Sequence, residues 1–220
     1  MQGRKYLAEF LGTGILVAVV VGSGIMATNL TRDVGLQLLI NTISTVLVLG
    51  IIIAIFAPIS GAHFNPVVTL AELPFKRISL VDALGYLVAQ FVGGACGAIL
   101  ANLMFKRGAI NLSSHSRSGL NLFLGEVVAT AGLLLIIQLM NYQKRANAIP
   151  ILVSAWIGSA YFFTSSTSFA NPAVTFARGL SNTFAGIAMR SIPLFIVAQM
   201  LGGAIGTLLA IAFKEGVKHE

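Results

Sequence analysis

Residues 165–178 read SSTSFANPAVTFAR, and an Asn-Pro corner at Asn171 and Pro172 interrupts an otherwise apolar run. The same corner occurs in SGAHFNPVVTL at 60–70, at Asn65 and Pro66. Proline suits the first position of a helix, where its missing N–H would have no partner anyway, and asparagine is a strong N-cap. Each pair therefore predicts a helix start. The first short helix should run from Pro66 to about Leu73, where Pro74 stops it, and the second from Pro172 to about Arg178. At 1.5 Å per residue each spans about 12 Å, roughly half of a ~30 Å hydrocarbon core.

The rest of the chain says which solvent these corners meet. Of 220 residues, 56% are hydrophobic and 10% charged. Soluble domains carry about 25% charged residues, so this chain lacks the polar surface to face water all round. Charge-free runs cover Val34–Ala62, Ala83–Phe105, Ala146–Ala177 and Ser191–Phe213. All are long enough to span a bilayer. Tyr6–Thr28 and Leu120–Tyr142 are equally apolar apart from one glutamate each, Glu9 and Glu126. Glu9 within the first run, and that run's length, argue for a retained helix over a signal peptide. The net charge of +7 is scattered over short loops, which suits anionic lipid headgroups rather than nucleic acid. The single cysteine, Cys96, allows no internal disulfide.

Three elements recur in the same order along the chain. AEFLGTGILV around Glu9 matches LGEVVATAGLLL around Glu126, AQFVGGACGA at 89–98 matches AQMLGGAIGT at 198–207, and the two Asn-Pro segments match each other. The chain reads as one transmembrane domain, 1–220, built from repeats at about 5–110 and 117–213. Helices are predicted near 6–28, 35–57, 82–105, 120–141, 149–164 and 190–213. Three spans per repeat force the second copy to insert upside down, a plan that places functional sites at the midplane where the copies meet. The fold class is thus an all-α membrane protein, six transmembrane helices plus two re-entrant half-helices. Non-helical backbone at that depth is tolerated only when buried in protein or lining a water-filled cavity.

These paired motifs resemble the aquaporin (major intrinsic protein) family across nearly the whole chain. SGAHFNPVVTL is similar to the family's first signature loop, with Val67 in place of the usual alanine, and FANPAVTFAR to the second, Asn171-Pro172-Ala173. The resemblance implies a passive channel for water and small neutral solutes. Asn65 and Asn171 would donate to passing oxygens, while both positive helix ends repel cations at the midplane. It also implies a homotetramer. Glu9 and Glu126 admit two roles: sites for a coupled proton, or acceptors for backbone N–H groups of the re-entrant loops. His63 either lines a vestibule or fixes its loop by a hydrogen bond.

Most members of the family carry arginine directly after the second motif; here Val174 stands there. Family spacing puts the other constriction positions at Thr45, Ser159 and Ser168, with Phe162, Phe163 and Phe169 near enough to swing in. Thr, Ser, Ser and Val would make a wide filter lacking arginine. Arg178 shares roughly the helix face of Val174 one turn on. It either carries positive charge into the mouth or pairs with headgroups or a carboxylate. NPAVTFARGLSNTFAGI, 171–187, also resembles a bacterial subgroup associated with arsenic, which adds metalloid hydroxy acids to glycerol as candidate solutes. The alternative is an inverted-repeat secondary transporter.

No nucleophile–base pair, phosphate loop or metal-ligand spacing appears, so neither an enzyme nor a cofactor is expected. The family arrangement places both termini in the cytoplasm of a prokaryotic inner membrane. Eight basic residues then lie inside (Arg4, Lys5, Lys76, Arg77, Lys144, Arg145, Lys214, Lys218) and six outside. That agrees with the positive-inside rule.

Overall fold

The computed structural model describes residues 3–214, so Lys218 and both chain ends lie outside the described residues. The elements are α1 (Gly3–Leu30), α2 (Val34–Ser60), α3 (Pro66–Ala71), α4 (Leu80–Met104), α5 (Leu120–Tyr142), α6 (Ile149–Phe163), α7 (Pro172–Arg178) and α8 (Ile192–Phe213). Short 3₁₀ turns at Ala146–Ala148 and Met189–Ser191 lead into α6 and α8. Among the described residues, six helices are long and apolar enough to cross a membrane. The described residues form no strands, only an isolated bridge between Asn111 and Ser181. This is an integral membrane protein.

Local chemistry accounts for the helix ends. Asp33 caps α2 by accepting from the Leu36 N–H at 2.7 Å, and Ser79 caps α4 by accepting from Asp82. Gly61 closes α2 at φ +84°, its N–H returning to the Ala57 carbonyl. That left-handed conformation costs most other residues 1–2 kcal/mol, roughly. α3 ends at Ala71 with Glu72 as its C-cap, two residues before the expected stop, and α7 keeps its expected span.

Polarity is turned inside out relative to a soluble protein. On α2, Leu36, Leu39, Ile43, Leu47, Ile51 and Ile55 form an exposed apolar stripe, while Gln37, Asn41 and Thr45 are buried. An exposed apolar stripe of this length suits hydrocarbon as its solvent. Buried polar side chains instead tie helices together: Asn41 Nδ2 donates to the Val20 carbonyl at 2.8 Å, and Trp156 Nε1 to that of Ala129.

α1 packs on α4 and α5 on α8, in two matching pairs. Both crossings depend on small residues. A Cβ on Gly97 would collide with the Gly14 carbonyl, and one on Gly206 with that of Ala131. Such close approach is the usual role of glycine between membrane helices. α3 then lies against α4 and α8, α7 against α4, α8 and α1, and the two short helices touch each other.

Candidate functional site: a central cavity between two half-helices

Both short helices begin as the sequence predicts. The Asn65 Oδ1 accepts from the Val67 N–H at 2.9 Å, and the Asn171 Oδ1 from Ala173 and Val174 at 3.0 and 3.2 Å. Their amide nitrogens reach across. Asn65 Nδ2 donates to the Ala170 carbonyl and Asn171 Nδ2 to the Phe64 carbonyl, both at 2.7 Å. A side-chain amide has two N–H groups. One of each is spent on this crosswise bond, and both asparagines line the central cavity.

The loops leading to the motifs are wound tightly. Ala62 and Phe64 before Asn65, and Ser168 and Ala170 before Asn171, have φ values between 47° and 51°. Non-glycine residues hold such a conformation only where surrounding contacts over-determine it. Here those contacts are the two buried carboxylates. Glu9 accepts from Ser60 Oγ (2.7 Å), the His63 N–H (3.0 Å), the Phe64 N–H (2.7 Å) and Gln90 Nε2 (2.8 Å). Glu126 accepts from the N–H groups of Phe169 and Ala170, both at 2.8 Å, and from Gln199 Nε2 at 2.6 Å. Of the two roles open to them, the geometry is that of loop acceptors.

The glutamines complete a matched pair of networks that sequence reading missed. Gln90 Nε2 also donates to Thr69 Oγ1 at 2.9 Å, and Gln199 Nε2 to Thr175 Oγ1 at 2.8 Å. Each thus ties a carboxylate to its half-helix. The signal lay in the repeats themselves, since both glutamines sit in the duplicated Ala-Gln segments and both threonines follow the motifs. His63 lines the cavity, and its Nδ1 lies 3.1 Å from Thr69 Oγ1.

The cavity encloses about 560 Å³ and is lined by residues of every long helix except α8 and of both loops. Its middle wall is apolar, with Leu16, Leu49, Ile53, Val68, Val153 and Ile157. Its lining also includes Arg178 at the end of α7, Glu72 at the end of α3, and Arg77.

Of the expected constriction residues, Thr45, Ser168 and Val174 line this cavity. The Ser168 hydroxyl is buried with no protein partner. Ser159 does not join them; it lies on the exposed face of α6. The cavity-facing residues of that helix are Ile149, Val153, Ile157 and Tyr161, spaced four apart. Two residues from either neighbour is about 200° around a helix, the opposite face. Tyr161 faces the cavity instead, its hydroxyl 3.4 Å from Thr45 Oγ1.

Nor is the wall free of arginine and aromatic rings. Arg178 is 3% exposed, lines the cavity and donates through Nε to the Ala185 carbonyl. Its guanidinium carbon lies 3.3 Å from the Phe169 ring centroid, and that of Arg117 lies 5.1 Å from the same ring. Arg117 is fixed by the carbonyls of Gly186 and Phe184. Neither arginine has a carboxylate partner among the described residues. Val174 thus lines the cavity in company with a guanidinium, that of Arg178 one turn further along α7. Phe162 and Phe163, the other rings considered, are exposed.

Two half-helices capped tip to tip, inside six apolar helices and around a polar-centred cavity, define a membrane channel. The chain belongs to the major intrinsic protein family, which matches residues 2–170. It is 45% identical over 206 residues to aquaglyceroporin AqpS of Rhizobium meliloti, covering 94% of this chain and 88% of that protein. It is 41% identical over 104 residues to glycerol uptake facilitator protein-like 6 of Lactiplantibacillus plantarum, covering 47% of this chain and 43% of the relative. Its fold resembles the X-ray structure of the aquaglyceroporin from Plasmodium falciparum, with a TM-score of 0.71 at 20% identity over 98% of this chain and 96% of the other. Proteins of this family are channels rather than enzymes.

Proposed function

We propose that this chain is a passive channel for water and small neutral hydroxylated solutes, glycerol first among them and metalloid hydroxy acids after it. One observation carries the reading. Asn65 and Asn171 meet in the middle of an apolar-walled cavity, each with one amide N–H engaged and one left for a passing oxygen. The half-helix N-termini bring partial positive charge to the same place, which disfavours cations. The names of two relatives, an aquaglyceroporin and a glycerol uptake facilitator, point the same way.

The constriction in this reading combines Thr45, Ser168 and Val174 with Tyr161, Phe169 and Arg178. The Ser168 hydroxyl and the Arg178 guanidinium supply polar contacts, and the two rings set the width. The repeats 5–110 and 117–213 act as inverted halves of one pore, with four copies of the chain assembling in a prokaryotic plasma membrane and both termini cytoplasmic. A proton-coupled transporter would need an exchangeable carboxylate on the path. Glu9 and Glu126 instead spend their oxygens on the loops, and Glu72, which lines the cavity, is held by Arg77 and Gln138.

Proteoliposomes reconstituted with the full chain test this by stopped-flow light scattering. Osmotic shrinkage with an impermeant solute should be fast, and re-swelling with glycerol should be fast and non-saturating. Saturable, ion-gradient-dependent uptake would replace the channel with a transporter.

A further inference from the structure

Seven helical positions of the second half end at Arg178; the position of the first half the same distance beyond its asparagine is Glu72. Both side chains line the cavity, one at the C-terminal end of each half-helix. Yet their surroundings differ. Arg178 rests on backbone carbonyl and ring, whereas Glu72, 5% exposed, is held by charged and amide groups. Its Oε2 lies 3.1 Å from Arg77 Nη1, and its Oε1 accepts from Gln138 Nε2 at 2.6 Å. The Gln138 Oε1 closes the triangle by accepting from the same Arg77 Nη1 at 2.8 Å. Gln138 belongs to α5, so the first half-helix is fastened here to the second half of the chain.

The triangle leaves Arg77 in a particular state. Among the described residues, all its side-chain hydrogen bonds use Nη1. The remaining N–H groups, on Nε and Nη2, form the parallel fork that grips two adjacent oxygens. The guanidinium plane is steadied by Phe75 and Tyr142, whose ring centroids lie 4.8 and 5.7 Å from its central carbon. The side chain is one-third exposed and lines the cavity.

A fixed guanidinium fork alone would favour carboxylates. The Glu72 carboxylate beside it cancels the charge and repels anions while leaving the fork's donors in place. We propose that Glu72, Arg77 and Gln138 form a second selectivity station at the mouth opposite Arg178, one that selects neutral solutes carrying two adjacent hydroxyls over carboxylates of the same size. Arg77 donates, Glu72 rejects negative charge, and Gln138 holds the two in register. This inference rests on the channel reading above and assigns part of its solute preference to residues outside the asparagine motifs.

The test compares water, glycerol and glycerate fluxes in proteoliposomes holding the wild-type chain, Arg77→Lys or Glu72→Gln. Arg77→Lys keeps the charge and loses the planar fork. It should lower glycerol permeability three-fold or more with water permeability unchanged. Glu72→Gln keeps an oxygen acceptor for its partners and loses the negative charge. It should raise glycerate permeability relative to glycerol at least three-fold. Thermal unfolding in detergent identifies a variant that is merely misfolded, and the other variant then decides. Glycerol-to-water and glycerate-to-glycerol ratios equal to wild type in the folded variants would overturn the station and leave the channel standing. A wild-type chain that passes neither water nor glycerol would overturn both.

Discussion

Asn65 and Asn171 are bonded crosswise: the amide of each donates at 2.7 Å to the carbonyl of the residue preceding the other, Ala170 and Phe64. Each asparagine thus caps its own helix, fastens the opposite loop and presents one N–H to the cavity. No other side chain of this size offers both the acceptor for the cap and two donors.

Replacing Asn171 with aspartate keeps the cap acceptor and removes both donors. The Phe64 carbonyl is left facing a carboxylate, and an unsatisfied buried group costs about 1–3 kcal/mol. We expect a lower thermal midpoint in detergent together with water flux reduced several-fold in proteoliposomes. Asn65→Asp should act alike, because its partner carbonyl on Ala170 loses the equivalent donor. Normal flux in both variants would show that the midplane amides do not set the permeation rate.

The loop carboxylates give a second expectation. Glu126→Gln retains one acceptor oxygen but turns an NH₂ group toward N–H donors from Phe169, Ala170 or Gln199. Hydrogen bonds to a charged acceptor contribute about 1.5–3 kcal/mol each. Glu126→Gln and Glu9→Gln should both reduce the folded yield, and Gln199→Ala should do so less. Size-exclusion chromatography of the solubilised protein reads this directly. If proton transfer were the role instead, folded yield would stay normal and only pH-dependent transport would change.

Helix crossing supplies a third. Alanine at Gly97 or Gly206 places a methyl group against the Gly14 or Ala131 carbonyl. Overpacking of this kind costs typically about 1–3 kcal/mol. Gly108→Ala is the control, since its nearest neighbour to an added Cβ is the Ile110 carbonyl oxygen at 3.8 Å. The two helix variants should melt below wild type, and the loop variant should match it.

A pH dependence follows from His115, in the loop between α4 and α5. Burial, then the positive charges of Arg117 and Arg178, hold its pKa below the usual histidine value. Folding therefore favours the neutral ring. Its stabilising contribution is present above the unfolded pKa of about 6.5 and falls away as pH drops toward the lowered folded value. The thermal midpoint should decline on acidification through that window, and His115→Gln should flatten the decline.

What the sequence made legible was what local chemistry decides. Charge-free runs marked the long helices, and Asn followed by Pro marked the start of both short ones, because capping involves only neighbouring residues. Phase was harder. Ser159 rests on family spacing from the two motifs, and a discrepancy of two residues carries a helical side chain to the far face. Contacts between distant segments were hidden altogether. Glu72 and Gln138 meet across 66 residues, and Phe169 lies beside Arg117 only once two loops fold over each other. For Arg178 the sequence leaves open a charge in the mouth or a pairing with headgroups or a carboxylate, and its buried contact with the Ala185 carbonyl comes from the following loop.

The crosswise asparagine bonds also have a bearing on biosynthesis. Phe64 and Asn65 emerge from the ribosome long before Asn171, and until the second half arrives neither has its partner. The first half by itself would hold an unpaired carbonyl and amide at hydrocarbon depth, where such groups are costly. Closure of the pore centre is then a late event in assembly, and an incompletely translated chain offers the quality-control machinery an unfinished seam to detect rather than a leak across the membrane.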